Sequence, residues 1–146
     1  MTDPVIVRRV TWAEARKELS YIRRVVFMDE QQVPPELEWD GQDTTAVHVL
    51  AEAGGDPVGC GRLLMSGDTA KIGRMAVLKP FRAKGIGARL LTELLTAARQ
   101  AGARTAALSA QVHALPFYEK FGFVAHGPEY PDAGIPHRNM TRPLAD

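Results

Sequence analysis

The sequence predicts a single-domain α/β protein built on a mixed, mostly antiparallel sheet flanked by helices. Three observations predict this fold class. Short apolar runs are separated by Gly, Asp and Pro turn signals; two longer stretches carry helical period; and one strand–helix–strand passage, from Thr69 to Val112, requires a parallel crossover. With 146 residues there is room for a buried core but not for a second domain of ordinary size, so residues 1–146 are read as one unit.

The elements follow in order. Val5 to Val10 reads as a first strand, and Thr11 as the N-cap of a helix from Trp12 to about Phe27, with Leu19, Ile22, Val26 and Phe27 as its buried stripe. Asp29 to Thr45 is polar and acidic, is broken by Pro34-Pro35 and Asp40-Gly41, and predicts a loop with at most a short helix. Val47 to Ala53 and Val58 to Met65 predict paired strands around the hairpin signal Gly54-Gly55-Asp56-Pro57. After the Gly67-Asp68 turn come a fourth strand (Thr69 to Leu78), a helix (Gly85 to Gln100) closed by Gly102, and a fifth strand (Thr105 to Val112). A short helix from Ala114 to Lys120, stopped by Gly122, precedes two closing strands at Phe123 to His126 and Arg138 to Arg142.

Composition limits the partners. Eighteen Lys plus Arg against 17 Asp plus Glu leave no global field for nucleic acid or a membrane surface, so a small partner is expected. Cys60 is the only cysteine, which excludes an internal disulfide and a cysteine metal cluster, and the four histidines lack metal-ligand spacing. No metal is expected. The first ten residues lack an apolar signal core, and no apolar run approaches a membrane span, which predicts a cytoplasmic protein.

The chemistry begins at Arg82-Ala83-Lys84-Gly85-Ile86-Gly87, between an apolar strand and an amphipathic helix. Two glycines permit a tight turn with exposed N–H groups, and the helix start adds unpaired N–H donors and partial positive charge, which suits a pyrophosphate. A phosphate-binding P-loop needs Lys-Ser or Lys-Thr after its last glycine, whereas Ala88-Arg89 follows Gly87. A dinucleotide fingerprint needs a third glycine where Leu90 stands, and an acidic residue where Ala106 and Ala107 stand. What remains is Arg-x-x-Gly-x-Gly, preceded by Met75-Ala76-Val77 and followed by Leu90, Leu91, Leu94 and Leu95 on one helix face.

This pattern resembles motif A of the GNAT superfamily of acetyl-CoA-dependent N-acetyltransferases. Ala114 to Phe123 resembles the family's motif B, Ala-x-x-x-Tyr-x-x-x-Gly-Phe, in the right order after the fifth strand. Arg24 to Phe27, Glu30-Gln31, Pro34, Glu38, Asp40, Asp43, His48 and Asp132 to His137 resemble the ElaA-like branch. The resemblance implies a GNAT fold in which the central parallel strand pair splays to admit the pantetheine arm. Backbone groups of Met75, Ala76 and Val77 would pair with that arm, and amides of Arg82, Ala83, Lys84, Gly85, Ile86, Gly87 and Ala88 would hold the pyrophosphate. Gln111 occupies the place where many members carry an Asn that contacts the cofactor.

The implied reaction is direct attack of a neutral amine on the acetyl thioester. Tyr118, at the motif B tyrosine position, would donate to the departing thiolate, and Glu30, after the first helix, is the first choice of base. Glu38, Asp40, Asp43, His48, Glu52 or a relayed water are the alternatives, and His113 and His137 are expected to line the acceptor site. The acidic stretch Asp29 to Asp43 suggests a cationic acceptor. Dimers are frequent in the family, so a homodimer is one expectation. A second reading makes the chain an acetyl-CoA-binding regulator with little catalysis; a third makes it a nucleotide-binding module.

Overall fold

Near-continuous burial along the central strands needs two covered faces, and the chain supplies a helical layer for each. In the computed structural model, which describes residues 4–144, the strands are β1 (Val5–Val10), β2 (Val47–Ala53), β3 (Asp56–Ser66), β4 (Thr69–Val77), β5 (Thr105–Gln111), β6 (Val124–Asp132) and β7 (Ile135–Pro143). They form one sheet in the order β1-β2-β3-β4-β5-β7-β6. Only β4 and β5 pair in parallel. The helices are α1 (Trp12–Arg23), α2 (Pro35–Glu38), α3 (Ile86–Gln100) and α4 (Leu115–Glu119).

One face is covered by α3. Leu90, Leu91, Leu94 and Leu95 bury there against Val49, Val58, Leu63, Ile72, Ala106, Leu108 and Met140. On the other face, Leu19, Ile22 and Val26 pack on Leu50, Cys60 and Ala76. Helix α1 begins as its sequence requires: Glu14 N–H donates to the Thr11 hydroxyl, and Thr11 N–H donates to the Glu14 carboxylate.

Two local departures position the site. The expected helix from Trp12 to Phe27 ends as an α-helix at Arg23 and continues as a π-helical segment over Arg24–Glu30. Its wide hydrogen bonds, such as Gln31 N–H to Val26 O, turn Glu30 and Gln31 toward the sheet edge. The closing strands are longer than predicted, running through a hairpin at Ala133-Gly134, because Pro131 and Pro136 are accommodated opposite one another at its end. The segment read as a closing loop, Asp132 to His137, is therefore a hairpin tip.

The β4–β5 ladder carries the fold's main consequence. Thr69 to Ile72 pair with Thr105 to Leu108, and beyond them the strands part. Across β4, Arg62 opposes Gly73 while Cys60 opposes Ala76, so Arg74 and Met75 form a bulge opposite Gly61. A Cβ on Gly61 would stand 2.7 Å from Leu94 Cδ1 and 2.9 Å from Met75 Sδ, so a larger residue here would have to push those two side-chain ends aside.

Candidate active site

Parting of β4 and β5 opens a cleft of about 810 Å³. The free edge of β4, including Met75, Ala76 and Val77, forms one side, and Ser109, Ala110 and Gln111 of β5 form the other. The π-helical segment, α2 and the β6–β7 hairpin close the ends.

At one end lies the glycine loop. Ala83 (φ 62°) and Gly85 (φ 80°) both adopt left-handed backbone around Lys84, a pattern that turns successive N–H groups to the same side. Helix α3 starts immediately, and its first internal bond is Arg89 N–H to Gly85 O. The N–H groups from Ala83 to Ala88 have no acceptor among the described residues, and a Cβ built on Gly85 meets no atom within 4 Å. The loop is thus a cradle of unsatisfied donors at a helix N-terminus, matched to an anion. Lys84 Nζ sits 5.7 Å from the Phe81 ring centre.

Arg82 does not turn into that cradle. Its Nε donates to Val77 O at 2.8 Å, and Nη1 and Nη2 donate to the two Glu30 oxygens at 2.7 and 2.8 Å. The guanidinium holds the Glu30 carboxyl below the usual carboxylate range, with partial burial opposing it. Glu30 is therefore ionised at neutral pH, and the pair ties the loop to the π-helical segment.

Tyr118 stands on α4, edge-on to Phe117 and Phe123, with ring centres 5.0 and 6.0 Å away. Its hydroxyl reaches the cleft and has no hydrogen-bond partner among the described residues, and burial pushes the phenol up to about 12. Such a phenol stays protonated as a donor throughout the physiological range. Gln111 is occupied at both ends of its amide: Nε2 donates to Gln31 Oε1 at 2.9 Å, and His113 Nε2 lies 2.7 Å from its Oε1. Gln31 was absent from the sequence-based site; its signals were its place beside Glu30 and its part in the resemblance to the ElaA-like branch.

Part of the acidic stretch is paired internally, while Asp29 and Glu36 have no ion-pair partner among the described residues. Buried Arg23 donates to Glu38 Oε2 at 2.6 Å and Asp43 Oδ1 at 2.7 Å. Arg62 holds both oxygens of Asp40 at 2.9 and 2.8 Å and reaches Asp43 at 3.1 Å. Arg74 donates to Glu38 O at 3.0 Å, while its Nε, 3.1 Å from Glu38 Oε2, lies off the hydrogen-bonding line. Three carboxylates, Glu38, Asp40 and Asp43, face three guanidinium groups, so their share of the charge that suggested a cationic acceptor is compensated within the protein. The Arg62 contact holds Asp40 down at about 2.

Other base candidates separate by position. His48 is buried, held 2.8 Å from Asp43 O and kept neutral by desolvation, and Glu52 pairs with Arg8; neither lines the cleft. Glu30, Glu38, His113 and His137 do. His137 Nδ1 lies 2.7 Å from Ile135 O, so Nδ1–H donates to that carbonyl and Nε2 is the ring nitrogen left for the cleft. Cys60 is buried, its thiol pushed up to about 12 by desolvation, and does not serve as a nucleophile. Among the described residues there is no group of three His, Cys, Asp or Glu side chains arranged for a metal ion, and no helix long and apolar enough to cross a membrane.

Residues 16–144 match the acetyltransferase (GNAT) domain. The chain is 40% identical over 130 residues to the uncharacterized N-acetyltransferase YjcF of Bacillus subtilis, covering 88% of this chain and 93% of that one. It superposes on the crystal structure of Escherichia coli ElaA with TM-score 0.86 at 28% identity, over 95% of this chain and 99% of ElaA. An acyl-CoA N-acyltransferase from Pseudomonas aeruginosa gives TM-score 0.86 at 30% identity, over the same shares of the two chains.

Proposed function

Because the chain belongs to the GNAT acetyltransferase family, with ElaA among its relatives, we propose that it is an acetyl-CoA-dependent N-acetyltransferase acting directly on a primary amine. The observation that carries this reading is the run of free N–H donors from Ala83 to Ala88 at one end of a cleft whose other features are an unpaired strand edge and the Tyr118 phenol. Acetyl-CoA fits that arrangement. Its pyrophosphate takes the free donors, and its pantetheine amides extend the sheet along Met75, Ala76 and Val77; once bound, it supplies the acetyl thioester.

The chain's own residues then divide the work. A main-chain N–H of the bulged β4 segment stabilises charge on the acetyl oxygen, since such preorganised donors act in a dry site without reorganising. Tyr118 donates its hydrogen bond to the leaving sulfur. Glu30 takes the acceptor's proton through water; a carboxylate this acidic cannot strip an alkylammonium of pKa near 10.4, and acts only after attack has acidified the nitrogen. Gln111, fixed by Gln31 and His113, orients the mouth of the cleft rather than holding a proton.

The test is release of free CoA thiol from acetyl-CoA across a panel of primary amines. The reading expects amine-dependent release with formation of the matching amide, and a loss of turnover in Tyr118→Phe that exceeds any loss of acetyl-CoA affinity.

A further inference from the structure

The ionisable groups lining the cleft are unevenly used. Glu30 and Glu38 are committed to Arg82 and Arg23, and Arg62 and Arg74 to Asp40 and Glu38. Lys71 is different. It lies exposed on the cleft floor, next to Leu64 of β3 and Ala107 of β5 in register, with no carboxylate in ion-pair range among the described residues.

The polar groups nearest to it on the neighbouring strands are occupied by one another. Ser109 lies two residues beyond Ala107 on the same face of β5, and Asn139 of β7 stands opposite Ser109. Tyr130 Oη donates to Asn139 Oδ1 at 2.8 Å and is itself hydrogen-bonded to Ser109 Oγ. The only unpaired carboxylate of the lining, Asp132, is at the hairpin tip on the opposite wall.

We propose that the acceptor amine also carries an acidic oxygen group, a carboxylate or phosphate, which Lys71 binds. This rests on the acetyltransferase reading, since it names the acceptor class of that same cleft. It reverses the expectation drawn from the acidic stretch, because the carboxylates of that stretch that line the cleft, Glu30 and Glu38, are paired with arginines while the ammonium on the floor is not. Lys71 precedes the β4 bulge at Arg74 by three residues, so the acid group and the reacting nitrogen lie roughly 10 Å apart at about 3.3 Å per residue. An unpaired ammonium complements an oxyacid better than a second ammonium.

The probes are 6-aminohexanoate, 6-aminohexyl phosphate and 1,6-diaminohexane, titrated by calorimetry into the protein saturated with CoA, using wild type, Lys71→Met and Lys71→Arg. The expected result is that at least one acid member binds about tenfold tighter than the diamine, that Lys71→Met removes the preference, and that Lys71→Arg retains it. The two acid arms tell carboxylate from phosphate. Equal or tighter binding of the diamine, or a preference untouched in Lys71→Met, overturns the inference. Turnover measured on the same panel reports separately on acetyl transfer: Lys71-dependent acid binding with no acetylation of any amine contradicts the enzyme and leaves the acid subsite standing.

Discussion

Replacing Arg23 with Met removes the cation at the centre of the buried charge network while keeping much of its length. Arg23 is 1% exposed and donates three hydrogen bonds, to Glu38 Oε2, Asp43 Oδ1 and Glu38 O. Breaking a buried pair by removing one partner costs about 3–5 kcal/mol. Here each orphaned carboxylate keeps a second guanidinium, Arg74 at 3.1 Å from Glu38 and Arg62 at 3.1 Å from Asp43, which places the cost near the lower end. Loss of the stacking with Trp12 and Trp39, 5.6 and 4.9 Å from the guanidinium carbon, adds about 0.5–1 kcal/mol. The total is about 3–4 kcal/mol, and a domain of this size loses roughly 3 °C per kcal/mol, so Tm should fall by about 10 °C. Differential scanning calorimetry at neutral pH measures it. Because Leu37, Glu38 and Arg74 wall the cleft, the variant should also raise the acceptor KM at a temperature where it remains folded, with acetyl-CoA affinity within about twofold of wild type. A Tm drop under about 3 °C would refute the claim that this network holds α2 against the sheet.

Further outcomes follow from the same geometry. Tyr118→Phe should lower kcat by about 10²-fold or more, with acetyl-CoA affinity and Tm nearly unchanged, since the hydroxyl has no partner to lose; steady-state kinetics and calorimetry check this. Glu30→Gln should lower kcat yet not weaken acetyl-CoA binding, because it releases Arg82 toward the loop; weaker binding would show that the pair itself shapes the cradle. Gly85→Ala forces a side chain into left-handed backbone at φ 80°, costing about 1 kcal/mol of stability and weakening acetyl-CoA binding, both readable by thermal shift with and without the donor. Asp40 is depressed from 3.8 to about 2 in the folded protein, so its contribution is present above about pH 4 and is lost as pH falls through about 2; acid titration of wild type against Asp40→Asn should show the two stabilities converging over that window, by under about 1 kcal/mol because Asp40 is exposed and water screens the pair.

What the sequence revealed and concealed has a physical pattern. The glycine loop was legible because its chemistry is local: two glycines, a helix start and consecutive N–H groups lie within seven residues. The β4–β5 crossover was equally legible, since a strand, a 15-residue helix and a strand admit one hand and one pairing. The charge network was not. Arg23 stands on an otherwise apolar helix stripe and meets partners 15 and 20 residues away, so Glu38, Asp40 and Asp43 read as free acid when their counter-charges come from α1, β3 and β4. The π-helical segment was hidden because its residues carry ordinary helical period, and only the wide bond to Val26 O distinguishes it. The β6–β7 hairpin was shortened in prediction by Pro131 and Pro136, whose missing N–H groups argue against a strand until their opposed placement is seen.

The account's central claim is that the cleft between β4 and β5 binds acetyl-CoA through the loop and passes its acetyl group to an amine. The most direct measurement follows free CoA thiol and acetylated amine together, in one reaction with purified protein, acetyl-CoA and a primary-amine panel that includes acid-bearing members. The account predicts equal amounts of thiol and amide, formed only with amine present and reduced in Tyr118→Phe. Acetyl-CoA binding without amide from any amine would favour a regulator, and thermal protection by ATP or NAD but not by acetyl-CoA would contradict the donor site itself.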